Sequence, residues 1–258
     1  MDILTNKENG VLTITFNRPG KKNAITSAMY QAMADALQAA QSDSEVRVIL
    51  FTGLDGIFTA GNDLEDFMKN SSQLTTDGES SSIIQFMRAL SGAGKPVIAA
   101  VSGLAVGIGT TMLMHCDLVY LADDAKLVMP FSQLGLCAEF SSSLLLQRIA
   151  GYHRAAEKLL LGEAFGAQEA LEMGMANKVV PAAELLNYAQ AQAAKLVALP
   201  AASLRATKRL MKESQATLVN QVMQDELQQF SKMLSGAEAK EAFMAFFQKR
   251  KPDFSQFS

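Results

Sequence analysis

The chain has 258 residues, 49% of them apolar and 19% charged, with a formal net charge of −3 at neutral pH; that is enough apolar material for a substantial core, and it leaves no basic surplus for nucleic acid. Cys116, Cys137, His115 and His153 lack the paired spacing that zinc requires, so no metal is expected. No apolar run reaches transmembrane length, the start Met1-Asp2-Ile3-Leu4 lacks the form of a signal peptide, and Gln256-Phe257-Ser258 is not a peroxisomal tripeptide, so the expectation is a cytoplasmic protein with no membrane partner.

Val11 to Phe16 alternates as a strand, Ser27 to Gln41 carries Met29, Met33, Leu37 and Ala40 at helical spacing, and Val46 to Phe51 returns to strand. The stretch from Phe58 to Leu64 leads into a short helix that Asp63 is placed to cap. Lys69 to Ser82 is polar and reads as a surface loop, with a mobile flap as the alternative. A helix from Ser82 to Leu90, a strand from Pro96 to Val101, a helix from Gly107 to His115 and a strand from Asp117 to Leu121 follow. Strand and helix in alternation predict an α/β fold with right-handed crossovers. The serines at 141 to 143 read as caps for a helix from Leu144 to Ile149, since no nucleophile elbow surrounds them. Beyond residue 200 the pattern is helical, over Leu204 to Met211, Leu218 to Leu234 and Ala237 to Lys249. Its stripe of Met223, Leu227, Phe230, Met233 and Leu234 is either intrachain core or an oligomer seam.

Two glycine-bearing stretches stand out: Phe58-Thr59-Ala60-Gly61-Asn62-Asp63-Leu64, and Val101 to Gly109 with Gly107-Ile108-Gly109 at its end. Each follows an apolar strand run and passes through glycine into a helix, a context that leaves backbone N–H groups unpaired. Glycine also lets a ligand approach the backbone with no Cβ in the way. Two such turns aimed at one point bind a negative oxygen. Gly107-Ile108-Gly109 is not a dinucleotide fingerprint, because its third glycine and acidic follower are missing, so NAD is not expected.

In order and spacing these stretches resemble the enoyl-CoA hydratase/isomerase, or crotonase, superfamily, and the resemblance runs from Phe16-Asn17-Arg18-Pro19 to Lys249-Arg250-Lys251. It implies a crotonase-like spiral of ββα units over residues 1–199, carrying the CoA and acyl sites, with a helical oligomerisation region over 200–258. It implies that the amides of Ala60 and Ile108 hold a thioester oxygen. A hydratase of this family carries two glutamates; this chain has Thr111 and Phe131 at those places, and neither titrates as an acid or base near neutrality. Water addition by that route is not expected.

The run Pro130-Phe131-Ser132-Gln133-Leu134-Gly135 to Glu139-Phe140-Ser141-Ser142-Ser143 is similar to the pattern of the peroxisomal-type Δ3,Δ2-enoyl-CoA isomerases, which makes Glu139 the lone catalytic base. The implied acyl pocket is Phe67, Phe131, Leu136 and Phe140, and the apolar surfaces of Phe131, Leu136 and Phe140 desolvate Glu139 and raise its pKa. Phe140 is a departure, since those isomerases usually have glycine there. The resemblance also places Arg18, Lys21, Lys22 and Ala24 in a CoA-contacting loop and Lys249 in a C-terminal basic segment that reaches a neighbouring site. It implies an acyl-CoA partner, no separate cofactor because coenzyme A is part of the substrate, and a homotrimer or a dimer of trimers. Acyl-CoA hydrolysis, another reaction of this scaffold, and acyl-CoA binding without catalysis remain open alternatives.

Overall fold

The computed structural model describes residues 1–54, 56–70 and 81–257. Most of the polar stretch read as a loop, residues 71–80, lies outside the described residues. The chain begins with an antiparallel hairpin of β1 (Ile3–Glu8) and β2 (Val11–Phe16), turned by Asn9 and Gly10, both at positive φ. An Asn-Gly pair is the favoured two-residue turn for the twist of a hairpin. β1 was not predicted: only Ile3 of its six residues is buried, so it shows no alternation to read.

α1 (Ser27–Ser42), β3 (Val48–Gly53), α2 (Leu64–Asn70), α3 (Ser82–Ser91), β4 (Val97–Val101), β5 (Leu104–Val106), the short α4 (Ile108–Thr111), β6 (Leu118–Ala122) and β7 (Lys126–Val128) follow. They are succeeded by α5 (Ser142–Ala150), α6 (Tyr152–Leu161), β8 (Phe165–Gly166), α7 (Ala167–Glu172), β9 (Lys178–Val180), α8 (Leu185–Ala198), α9 (Ala201–Leu234) and α10 (Ala237–Phe247). One sheet has the order β1-β2-β3-β4-β6-β9, parallel from β2 onward; the second has the order β5-β7-β8. The chain lays β4 and then β5, β6 and then β7, one strand in each sheet per turn. After β3 the same move appears as a single bridge, Thr59 to Ala105.

The parallel strands are buried on both faces, which is why Val48 to Phe51 is apolar without a break. Period two sorts them: Val48 and Leu50 pack with Leu185, Ala189 and Ala193 of α8, while Ile49 and Phe51 join the main core with Met33, Leu37 and Phe86. Where two helices were predicted over 204–234, α9 runs unbroken from Ala201 to Leu234. Residues 212–217 lack an apolar period, but they contain no glycine or proline to stop a helix. α9 is tied to the spiral by Lys208, whose Nζ donates to Asp117 Oδ2 at 2.6 Å and to the carbonyl of Lys95 at 2.7 Å. Among the described residues, no helix is long and apolar enough to cross a membrane.

Candidate active site

The two glycine turns come together at the edge of the second sheet. In the first, the amide of Ile25 donates to Gly61 O at 2.8 Å and the amide of Asp63 to Ile25 O at 2.9 Å. Residues 61 and 63 therefore face residue 25, and the N–H of Asn62 between them faces the other way. Gly61 has φ +83°, and a Cβ there would lie 2.8 Å from the carbonyl oxygen of Val106, in the other turn. The second turn pivots on Gly107, at φ 56° and ψ −118°, a conformation that only glycine takes readily. Ile108 is the first residue of α4, so its N–H has no acceptor within the helix. Among the described residues, neither the Asn62 nor the Ile108 amide meets an acceptor. The expected role of Ala60 is corrected here: its N–H already donates to Lys22 O at 3.0 Å. The amide that this turn leaves available is that of Asn62.

Glu139 lies in the segment before α5, buried, with its carboxyl on the same cavity as Asn62 and Ile108. Thr111, on α4, donates its hydroxyl to Glu139 Oε1 at 2.5 Å. Burial pushes the Glu139 pKa up to about 8; the Thr111 bond pulls it down and the charge of Glu226 adds to the rise.

Phe140 is not part of the cavity wall, contrary to its predicted place in the acyl pocket. Phe140 and Ser141 both have φ +58°, which costs a non-glycine residue about 1–2 kcal/mol. That backbone turns the Phe140 ring away from the cavity into the core, where it stacks on His115 with ring centres 3.9 Å apart and 20° between planes. His115 Nε2 donates to Phe140 O at 2.8 Å. Burial holds the His115 pKa down at about 3, so the ring is neutral and keeps one N–H for that bond. The glycine expected at position 140 is the residue that takes this φ without strain.

The cavity has a volume of about 540 Å³. Phe67, Phe131 and Leu136 line it as predicted, and Lys21, Lys22 and Ala24 stand along it beside Asn62. Arg18 is off the cavity lining: its Nη1 donates to Ala24 O at 2.9 Å and to Asp63 Oδ2 at 2.8 Å, so it staples the lysine loop to the first glycine turn. Lys249 lies beyond α10, exposed, and off the cavity lining. Four aromatic wall residues were not assigned from the sequence: Phe230 of α9, and Phe243, Phe246 and Phe247 of α10. Phe230 meets Phe67 and Phe131 edge to face, at 6.2 and 6.4 Å between ring centres. Its helical stripe was visible, but not the partner across the cavity.

The enoyl-CoA hydratase/isomerase family matches the sequence that builds this fold and cavity over residues 6–257. The chain belongs to that family. Its fold is the crotonase fold: the crystal structure of an enoyl-CoA hydratase/isomerase from Pseudoalteromonas atlantica T6c is 36% identical, with a TM-score of 0.93 over 98% of this chain and 100% of that one. Curated relatives of the family include enoyl-CoA delta isomerase 2 of Rattus norvegicus, 34% identical over 97% of this chain and 64% of its own length. They also include 2,3-dehydroadipyl-CoA hydratase of Escherichia coli K12, 30% identical over 98% of each chain. The family thus holds isomerases and hydratases at comparable distance, and what distinguishes reactions on one scaffold is the set of acids at the site. Around the site this chain has Thr111 and Phe131, neither of them an acid. One donates to Glu139 and the other lines the cavity.

Proposed function

We propose that this crotonase-superfamily enzyme is a Δ3,Δ2-enoyl-CoA isomerase that moves a double bond into conjugation with the thioester. The observation behind this reading is that Glu139 is the one buried carboxylate lining the cavity among the described residues. The carboxylate form of Glu139 removes a proton from C2 of a 3-enoyl-CoA. The amides of Asn62 and Ile108 hold the thioester oxygen as negative charge builds on the dienolate, and the protonated Glu139 returns the proton at C4. Atoms balance without water, and the apolar walls at Phe67, Phe131, Leu136 and Phe230 disfavour its entry. Lys21 and Lys22 meet the phosphates of coenzyme A. The helical stretch 200–258 closes the cavity and carries the contacts of a trimer or a dimer of trimers.

A preorganised amide donor contributes roughly 10²–10³ in rate, and a positioned base roughly 10²–10⁴. Both are needed, because a carbon acid ionises poorly unless its enolate is stabilised. Replacing Glu139 by Gln is expected to cut double-bond migration by about 10²–10⁴-fold while leaving acyl-CoA binding nearly intact. The change in absorbance on forming the conjugated thioester reads the first, and calorimetric titration with acyl-CoA the second. Wild-type isomerisation by Glu139→Gln removes Glu139 from the base role. Steady release of free thiol by the wild type, with no isomerised product, favours hydrolysis instead.

A further inference from the structure

The segment that carries Glu139 is held from the far end of the chain. Glu226, on α9, accepts from the Ser141 amide at 2.5 Å with Oε2, and from the Ser143 amide at 3.0 Å and the Ser143 hydroxyl at 2.5 Å with Oε1. Ser141 in turn donates its hydroxyl to Val219 O of the same helix at 2.8 Å. The thiol of Cys137 reaches the Glu226 carbonyl at 3.7 Å. These contacts bracket Phe140 and Ser141, the two left-handed non-glycine residues that directly follow Glu139. A turn in that conformation persists only where its surroundings over-determine it. Here they do so from two sides, His115 holding the carbonyl of Phe140 and Glu226 the amide of Ser141.

We propose that Glu226 is a positioning residue for the reaction: by clamping the Phe140–Ser141 turn from α9, it sets the direction in which Glu139 presents its carboxyl to the cavity. The inference rests on the reading of Glu139 as the base. A helix-capping role alone explains the bonds to Ser143, at the start of α5, where a carboxylate suits the helix dipole. The bond to Ser141, the N-cap residue of α5, fits capping too, but it falls on the left-handed turn itself, as does the tie from Ser141 back to Val219, which capping does not explain. The charge of Glu226 also acts on Glu139 through space, favouring its protonated form. The other groups that face Glu139 act differently: Thr111 on α4 donates to it, Tyr30 on α1 is a neutral phenol, Cys137 is a thiol whose pKa burial raises, and His115 is neutral.

The test is Glu226→Gln, which keeps the shape but removes the charge and leaves one accepting oxygen. Steady-state isomerisation gives kcat and KM. The infrared carboxyl band, taken as the difference between each protein and its Glu139→Gln counterpart, gives the titration of Glu139 without turnover. The expected result is a fall in kcat of about 10–10²-fold, an acyl-CoA KM within about twofold of wild type, and a downward shift of the Glu139 midpoint. Glu226→Asp, which keeps the charge, is expected to restore the midpoint and part of kcat. Should Glu226→Gln fail to fold, Ser141→Ala removes the tie from the turn to Val219 on α9, and a loss of kcat at constant KM is again the expected outcome. Wild-type kcat with an unmoved midpoint, or a loss confined to KM, overturns the inference. An absence of isomerisation in the wild type overturns the reading beneath it, a result that the turnover-free titration keeps separate.

Discussion

Glu139 and Glu226 are two buried carboxylates held against one short segment, and their surroundings differ in one respect that decides their use. Among the described residues, Glu226 accepts three hydrogen bonds at the start of α5, whereas Glu139 accepts one, from Thr111, and opens on the cavity. Burial raises the pKa of both. A carboxylate whose lone pairs are taken up by donors is a fixture of the structure, while one with a single donor in an apolar wall is available to a proton. Residue type and burial are shared; the number and placement of donors separate base from clamp.

After Glu139→Gln itself, the largest effect is expected from breaking the partnership of base and amide. Ile108→Pro places proline at the first position of a helix, where its ring is tolerated, and deletes the N–H together with part of a buried side chain. A fall in kcat of about 10²–10³ with cooperative unfolding retained is expected; an unchanged kcat shows that the Ile108 amide does not hold the thioester oxygen.

Thr111→Val sharpens the contrast between the two carboxylates by taking away the one donor of Glu139. The carboxylate form loses its partner, so the pKa rises beyond about 8. Since the ionised form is the base, kcat/KM of the wild type is expected to climb as pH rises through about 8. In Thr111→Val the same limb moves to higher pH, and the rate near neutrality falls in proportion to the ionised fraction of Glu139, about tenfold if the limb moves by a full pH unit. A profile that overlays the wild type shows the bond to be irrelevant to the proton.

The smallest effect is on stability. The folded pKa of Glu139, about 8, lies above the ordinary value of 4.5, so the folded protein binds more protons than the unfolded chain between them. The contribution is fully present below about 4.5 and is lost as pH rises through about 8. Glu139→Gln has no such loss, and its melting temperature is expected to gain on the wild type by a few degrees between pH 5 and pH 9. A constant difference across that range contradicts the burial of a free carboxyl.

The α/β alternation was legible because Val48 to Phe51 and Val97 to Val101 are apolar throughout, as strands covered on both faces must be, with helical periods between them, whereas the spiral came only with the family resemblance. At the site, local pattern located the turns but not the direction of each group within them. Ala60 and Asn62 are two residues apart; which of them offers its N–H depends on pairing with Ile25, a contact distant in sequence. Arg18 reads as a phosphate ligand until Asp63 is found beside it. Phe140 is apolar and next to Glu139, as a pocket residue would be, yet its positive φ swings the ring to the opposite side. Glu226 carried no motif, because its role consists of three donors that the fold alone assembles.

The most direct measurement is a crystal structure with a non-reactive 3-enoyl-CoA analogue bound. The thioester oxygen is expected within hydrogen-bond reach of the Asn62 and Ile108 amides, and one Glu139 oxygen about 3–3.5 Å from both C2 and C4. A Glu139 carboxyl directed away from the acyl chain, or a thioester oxygen that touches neither amide, contradicts the proposed proton transfer.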